Sequence, residues 1–329
     1  MNGWIILDKP LGLGSTQAVG TVKRICRAAG LGKVKVGHGG TLDPLATGVL
    51  PIALGEATKL TGRMLDASKS YDFTIAFGTE TNGLDAEGAV VATSDARPTL
   101  AEVEAVLPRF TGPINQVPPA YSAIKVDGKR AYDRARAGES VKMVARAVTV
   151  HALTVSSSPA CPELVEGLSF LGTSKGKDGP STGSGQARGV KEKALQSITL
   201  TAHVSKGTYI RSLARDIARA LETVGHVAML RRTWAGSFGL ESAISLDKLE
   251  SLAQGAPQSE VILPLEAGLV DISALALSPE AAGAIRQGRV LTGVAADDGL
   301  YWAHGGDFRP LALVSLSAGT LNIVRGFNL

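Results

Sequence analysis

The chain has 329 residues, 44% of them hydrophobic, and a net charge of +4, enough to bury a sizeable core in two domains. No stretch of about 18 apolar residues occurs and no charged start runs into an apolar segment, so neither a membrane span nor a secretory leader is expected, and a cytoplasmic protein is. The two cysteines, Cys26 and Cys161, lie far apart and outside any C-x-x-C pair, which excludes a disulfide framework and a cysteine zinc site and leaves two expected free thiols.

Taken in chain order, Ser15 is placed to N-cap a helix in which Val19, Val22, Cys26 and Ala29 recur at helical spacing, Lys23, Arg24 and Arg27 face elsewhere, and Gly30 stops the run. Tyr71, Phe73, Ile75 and Phe77 alternate with Asp72, Thr74 and Ala76 as a strand, and Asn82-Gly83 supplies the turn to a partner at residues 89–93. Thr99-x-x-Glu102 is a capping box opening a helix with Leu100, Val103, Val106 and Leu107 inward. "AVTVHALTV" and "SITLTAHVS" read as two strands of one hairpin. Between them residues 172–193 hold 6 Gly and 3 Ser and no aromatic, so they cannot bury enough surface to offset their ordering entropy and are expected to be a disordered part of an insertion over about 158–195. The second strand runs into a helix with Ile210, Leu213, Ile217 and Leu221 on its buried face. After a linker near Pro257 to Pro264, "LALVSL" and "LNIVRGF" alternate as strands of a small β-rich domain over 265–329, behind a larger domain over 1–255. The mixture is α+β.

Charge is distributed unevenly. Residues 1–66 carry 8 Lys and Arg against 4 acids, residues 121–151 carry 7 against 3, and residues 201–235 carry 6 against 2. An excess of +12 in three stretches leaves −8 for the rest, as expected if those stretches converge on one face that binds a polyanion. "DKPLGLGST" precedes a helix but has neither the P-loop order nor that of a dinucleotide site. The five histidines show no metal-ligand spacing, and no zinc-deaminase motif is present.

"GHGGTLDPLATGVLPIALGEATK", residues 37–59, carries one isolated carboxylate at Asp43. Asp-Pro often starts a turn, and on that ground alone the carboxylate would serve its own backbone. Glycoside hydrolysis would need a second acid, and only Glu56 is in the stretch. The whole stretch, however, closely resembles the G-H-x-G-x-L-D-P-x-A-x-G-x-L-P signature of the TruB family of pseudouridine synthases, the bacterial enzymes that modify uridine 55 in the tRNA T loop. "GWIILDKPLGLGS", "KSYDFTIAFG", "QVPPAYSAIKVDGKRAYDRAR", "SKGTYIRSLARDI" and "HVAMLRRTWAGSF" are similar to further family segments, from Gly3 to about Phe238. The C-terminal domain resembles the family's PUA-like module weakly.

The resemblance implies a pseudouridine synthase fold, with a mixed, mainly antiparallel sheet and flanking helices, followed by the PUA-like β domain. It implies a cofactor-free and metal-free isomerase that binds the T arm of tRNA as a monomer without an obligatory protein partner. Asp43 is then the catalytic aspartate, which attacks the sugar or the base and frees uracil to rotate and rejoin through carbon. Since the leaving group stays in place, no water needs activating and one acid suffices. By the same resemblance Arg211 pairs with Asp43 and holds it ionised, and Tyr71 stacks on the base and helps remove the C5 proton. Tyr209 and Leu230 are implied pocket walls, and His38 fills the space that the flipped uridine leaves. Extruding the nucleotide must be offset by phosphate contacts from the basic segments, for which Lys23, Arg24, Lys125, Arg130, Arg134 and Arg231 are the candidates, and Lys69 is a further candidate substrate contact. A non-catalytic RNA-binding or RNA-folding protein would use the same basic stretches, and an aspartate-nucleophile hydrolase the same carboxylate.

Overall fold

The structure, a computed structural model, describes residues 1–122, 124–126, 128–139, 141–156 and 193–329. Cys161 and all of the expected insertion but its last few residues lie outside the described residues. The chain forms two compact units, Met1–Tyr71 with Arg231–Leu329, and Asp72–Leu230.

In the first unit β1 (Gly3–Lys9) is buried on both faces, so its sequence reads as an apolar run without alternation. It pairs antiparallel with β3 (Ala46–Leu54) over its whole length, from Gly3 opposite Leu54 to Lys9 opposite Gly48. Between them in sequence come α1 (Ser15–Ala28) and β2 (Val36–His38), the latter pairing with Ile52–Leu54 of β3. The inward face of α1 is Ala18, Val22, Ile25 and Cys26, clustered with Ile5, Leu7, Leu50, Ile52 and Leu54. Ser15 is not the N-cap. Gly14 occupies that position, its N–H bonded to Gln17 Oε1 at 2.8 Å, because the Ser15 hydroxyl is used elsewhere. The unit continues with α2 (Thr61–Asp66) and the start of β4 (Lys69–Phe77).

The second unit takes up β4 at Asp72. It adds β5 (Thr79–Thr81), β6 (Val90–Thr93), α3 (Leu100–Val106), β7 (Gly112–Gln116), the two-residue strands β8 (Lys125–Val126) and β9 (Lys129–Arg130), α4 (Ala131–Arg136), β10 (Arg146–Val155), β11 (Ser197–Val204), α5 (Ile210–Ala220) and most of β12 (Gly225–Ala235). Within it the strand order is β12-β4-β11-β10-β7. Side-chain bonds from Thr74 to Thr199 (2.9 Å) and from Thr201 to Asp72 (2.7 Å) tie β4 to β11. The expected hairpin is β10 with β11, antiparallel, with a bulge at His151. The expected partner of the Tyr71 strand is corrected: β6 pairs with β5, not β4. Gly78, at φ +93°, breaks the strand before the hairpin begins, a conformation that side chains rarely adopt. The capping box forms as read, Thr99 N donating to Glu102 Oε2 at 2.7 Å and Glu102 N to Thr99 Oγ1 at 3.3 Å. Leu100, expected inward, is instead 44% exposed.

Arg231–Leu329 returns the chain to the first unit through the end of β12, β13 (Phe238–Gly239) and α6 (Leu246–Glu250). β14 (Ser273–Ala276), α7 (Pro279–Arg286), β15 (Leu291–Thr292), β16 (Gly299–His304), β17 (Pro310–Ser317) and β18 (Thr320–Gly326) form the C-terminal β domain, a five-stranded sheet in the order β14-β16-β17-β18-β15. The expected strands "LALVSL" and "LNIVRGF" are β17 and β18. The segment expected as a linker is a docked strap, because Leu263 exchanges both backbone hydrogen bonds with Trp4 at 2.8 Å and Val261 is buried. Trp4 also donates from Nε1 to Leu265 O at 3.1 Å and shares one core cluster with Phe238, Leu313 and Phe327. The fold is α+β with a C-terminal β domain, as the sequence implied. No described helix is long and apolar enough to cross a membrane.

Candidate active site

Asp43 lies in the loop that leaves β2 and re-enters the sheet as β3. Its carbonyl accepts from Ala46 N at 3.0 Å, so Asp43-Pro44 does start a tight turn, as the residue types favour. The side chain is half-buried, and the loop around it is gripped from three sides. Ser15 Oγ accepts from Leu42 N at 2.8 Å and donates to Leu42 O at 2.9 Å, fixing the peptide before Asp43. Lys9, fully buried at the end of β1, donates from Nζ to Leu13 O (2.7 Å), Pro10 O (2.9 Å) and Pro44 O (3.2 Å). Gly12 N adds a bond to Pro44 O at 2.9 Å. Arg232, 1% exposed, donates from Nε to Val49 O (2.7 Å), from Nη1 to Thr41 O and from Nη2 to Gly40 O (both 3.3 Å).

These cations shape the local electrostatics. Burial pulls the Lys9 ammonium down from 10.5 to about 8, the Asp43 carboxylate opposes that fall, and the Arg232 charge adds to it. At neutral pH Lys9 therefore stays mostly charged beside Asp43. Burial and then Arg232 also lower His38, whose Nδ1 accepts from Gly40 N at 3.4 Å, which favours a neutral imidazole. Arg231, a candidate RNA contact, forms a two-pronged pair with Asp8 at 2.8 and 3.0 Å and reaches Thr47 Oγ1 at 3.4 Å. Lys69 is buried, with Nζ donating to the carbonyls of Leu65 and Ala67. Tyr71 is half-buried in β4.

The second unit holds the other candidates. Arg211, at the start of α5 and 6% exposed, donates from Nη1 to Gly83 O (2.8 Å) and Asp85 Oδ2 (3.0 Å) and from Nη2 to Tyr121 O (2.9 Å). It thereby ties the helix to the turn after β5 and to the loop after β7. The backbone N–H of Tyr209 donates to Gln116 Oε1 at 2.7 Å, and Leu230 is half-buried in β12. Lys125 and Arg130 are exposed on β8 and β9, with the Arg130 guanidinium 5.8 Å from the Tyr132 ring. Lys23 is exposed, whereas Arg24 reaches Glu250 at 3.4 Å and Arg134 pairs with Glu139 at 2.6 Å. His38, Asp43, Lys69, Tyr71 and Arg231 thus belong to one unit, and Lys125, Arg130, Tyr209, Arg211 and Leu230 to the other.

Sequence reasoning missed Lys9, Ser15, Asp85 and Arg232. For Lys9 the available signal was its place just after the apolar run at residues 4–7. Among the described residues no group of three or more His, Cys, Asp or Glu side chains is arranged to hold a metal ion.

The family described as TruB family pseudouridylate synthase (N terminal domain) matches residues 23–164, and that described as tRNA pseudouridylate synthase B C-terminal domain matches residues 211–270. The tRNA pseudouridine synthase B of Novosphingobium aromaticivorans is 64% identical over 329 residues, covering 100% of this chain and 98% of that protein. The one from Zymomonas mobilis is 51% identical, covering 100% and 96%. In fold, the chain is similar to a crystal structure of a Cbf5-Nop10-Gar1 complex, with a TM-score of 0.66 at 24% identity over 99% of this chain and 84% of that one. It is also similar to an H/ACA RNP bound to a substrate RNA containing 2′-deoxyuridine, with a TM-score of 0.67 at 21% identity over 99% and 85%. By class, then, the protein is a pseudouridine synthase, an isomerase that acts on uridine in RNA. Within that class the chain belongs to the TruB family.

Proposed function

We propose that the protein converts uridine 55 in the T loop of tRNA to pseudouridine, with Asp43 as nucleophile and with the base flipped out of its stack. The observation that carries this reading is the Asp43 turn, a half-buried carboxylate beside a buried ammonium on a loop tied down at Leu42 and Pro44. Such preorganisation suits a group that must meet a sugar or base in one geometry. The relatives named tRNA pseudouridine synthase B support tRNA as the substrate.

Asp43 attacks the sugar or the base, the N1–C1′ bond breaks, and uracil stays in the site and turns. The C5–C1′ bond then forms as the bond to Asp43 breaks, and the C5 proton is lost while N1 ends protonated, so that the product is an isomer of the substrate and the carboxylate is regenerated. Tyr71 and Arg211 take the roles that the family motif gives them, base stacking with proton removal and electrostatic support. His38, Tyr209 and Leu230 accommodate the flipped nucleotide. The exposed Lys125 and Arg130 contact phosphate, whereas Lys69 and Arg231, engaged within the fold, shape the loops that meet RNA. Residues 1–255 form the catalytic part and 265–329 the PUA-like part of a monomeric enzyme that works in the cytoplasm without cofactor or obligatory protein partner.

The test is carbodiimide mapping of an unmodified tRNA transcript after incubation with the enzyme. A single new pseudouridine at position 55 is expected. Modification elsewhere would overturn the site assignment, and release of free uracil would replace isomerisation by hydrolysis.

A further inference from the structure

We propose that Arg232 is a positioning residue for Asp43, its guanidinium fixing the backbone of the catalytic loop without touching the substrate. The inference rests on the reading of Asp43 as nucleophile.

Three observations within one unit support it. First, a buried guanidinium is costly unless its donors and charge are matched, and the acceptors that Arg232 finds are the carbonyls of Gly40, Thr41 and Val49. Two of these lie just before Asp43 and the third lies in β3 beyond it, so one rigid fork spans the loop that carries the carboxylate. Among the described residues no carboxylate takes part in that set. Second, the close approach of β12 to the loop is built in. Gly48 sits at φ +98°, and a Cβ there would lie 2.2 Å from the Arg232 carbonyl, so the strand that delivers the guanidinium admits no side chain at its neighbour. Third, the charge of Arg232 is felt at both Lys9 and His38, the groups that flank the Asp43 loop at its base and its entry. Arginine is suited to this because its planar fork serves several carbonyls at once, whereas a lysine in its place keeps the charge and loses the geometry.

A purely architectural role, joining β12 to β3, would lower stability and leave the folded enzyme's chemistry alone. The positioning role separates the two. In Arg232→Lys, single-turnover conversion of a T-arm RNA, corrected for the folded fraction, should fall about 10²-fold, the effect of a misplacement of about 1 Å at a reacting group. The Kd for the same RNA should stay within about twofold, because phosphate contacts dominate affinity. Arg232→Gln should be no better, since it lacks both fork and charge.

Asp43→Asn is measured in parallel. If that variant retains turnover, the nucleophile reading fails and this inference with it. If it is inactive while Arg232→Lys turns over at the parental rate, the inference about Arg232 alone is overturned. Failure of both Arg232 variants to fold would make the residue architectural and overturn it as well.

Discussion

Replacing Lys9 with methionine tests how the Asp43 turn is held. The two side chains are similar in length, so the change removes donors and charge while creating little cavity. The Leu13 and Pro10 carbonyls lose the Nζ donor, whereas Pro44 O retains the Gly12 N–H. Both lost bonds are only part-buried, and Pro10 is exposed and Leu13 half-buried, so water can replace the donor in part and each carbonyl costs less than the roughly 1–3 kcal/mol of a fully buried one. Relief from burying an ammonium offsets much of this at neutral pH, so a net loss of no more than about 1 kcal/mol is expected at pH 7.

The pH dependence is the sharper test. Lys9 titrates near 8 in the folded chain and near 10.5 when unfolded. Between those values the unfolded chain binds more protons than the folded one, so the parent gains stability as pH rises across the window. Over the 2.5 pH units that separate 10.5 from 8, the gain approaches about 3 kcal/mol. The methionine variant has no such group, so its deficit should widen steadily from pH 7.5 to pH 10.5. Urea denaturation of both chains across that range reads the difference and cancels the titrations they share. A deficit that stays flat or shrinks with rising pH would refute the account of a buried cation beside Asp43.

Three further changes probe other parts of the fold. Thr99→Ala removes the cap of α3 and should cost about 1 kcal/mol by urea titration, with RNA affinity unchanged. Gly48→Ala combines a left-handed backbone at φ +98° with a 2.2 Å clash against Arg232 O, and should lower stability by more than about 1–3 kcal/mol, the cost of such a backbone strain alone. Arg211→Lys keeps the charge but cannot serve Gly83, Asp85 and Tyr121 together. It should lose about 1.5–3 kcal/mol of stability and most of the turnover, with affinity for T-arm RNA nearly intact. A parallel fall in affinity and its salt dependence would make Arg211 a phosphate contact instead.

Much of the fold was legible because its signals are local. The Thr99–Glu102 box is a four-residue pattern, and the β10–β11 hairpin announces itself by alternation on both strands. What failed needed tertiary knowledge. Ser15 looks like a cap by residue type, yet its hydroxyl is claimed by Leu42, 27 positions away. The partner of the Tyr71 strand differs from the expected one because Gly78 after Phe77 is compatible with either a bulge or a break, and its φ of +93° makes it a break. The charge reading met the same limit. Lys9, Arg211 and Arg232 fall within the basic stretches and Lys69 is a candidate RNA contact, yet all four are buried. Sequence shows a charge but not its burial, so the residues that grip the Asp43 loop were hidden among those read as RNA contacts. Asp43 itself was visible only through its motif, since its spacing fits a turn residue equally well, and the backbone does make that turn.

The central claim is that Asp43 is the nucleophile, and the most direct measurement is pseudouridine formation by Asp43→Asn on a full tRNA transcript, read by carbodiimide mapping beside a binding titration. The change is nearly isosteric and leaves the contacts to Ser15, Lys9 and Arg232 in place, because these engage the backbone of the loop. Binding should persist and product should fall to the assay floor, since covalent catalysis has no substitute group in the loop. Product at the parental rate, in protein shown by mass spectrometry to be free of deamidation back to aspartate, would contradict the account.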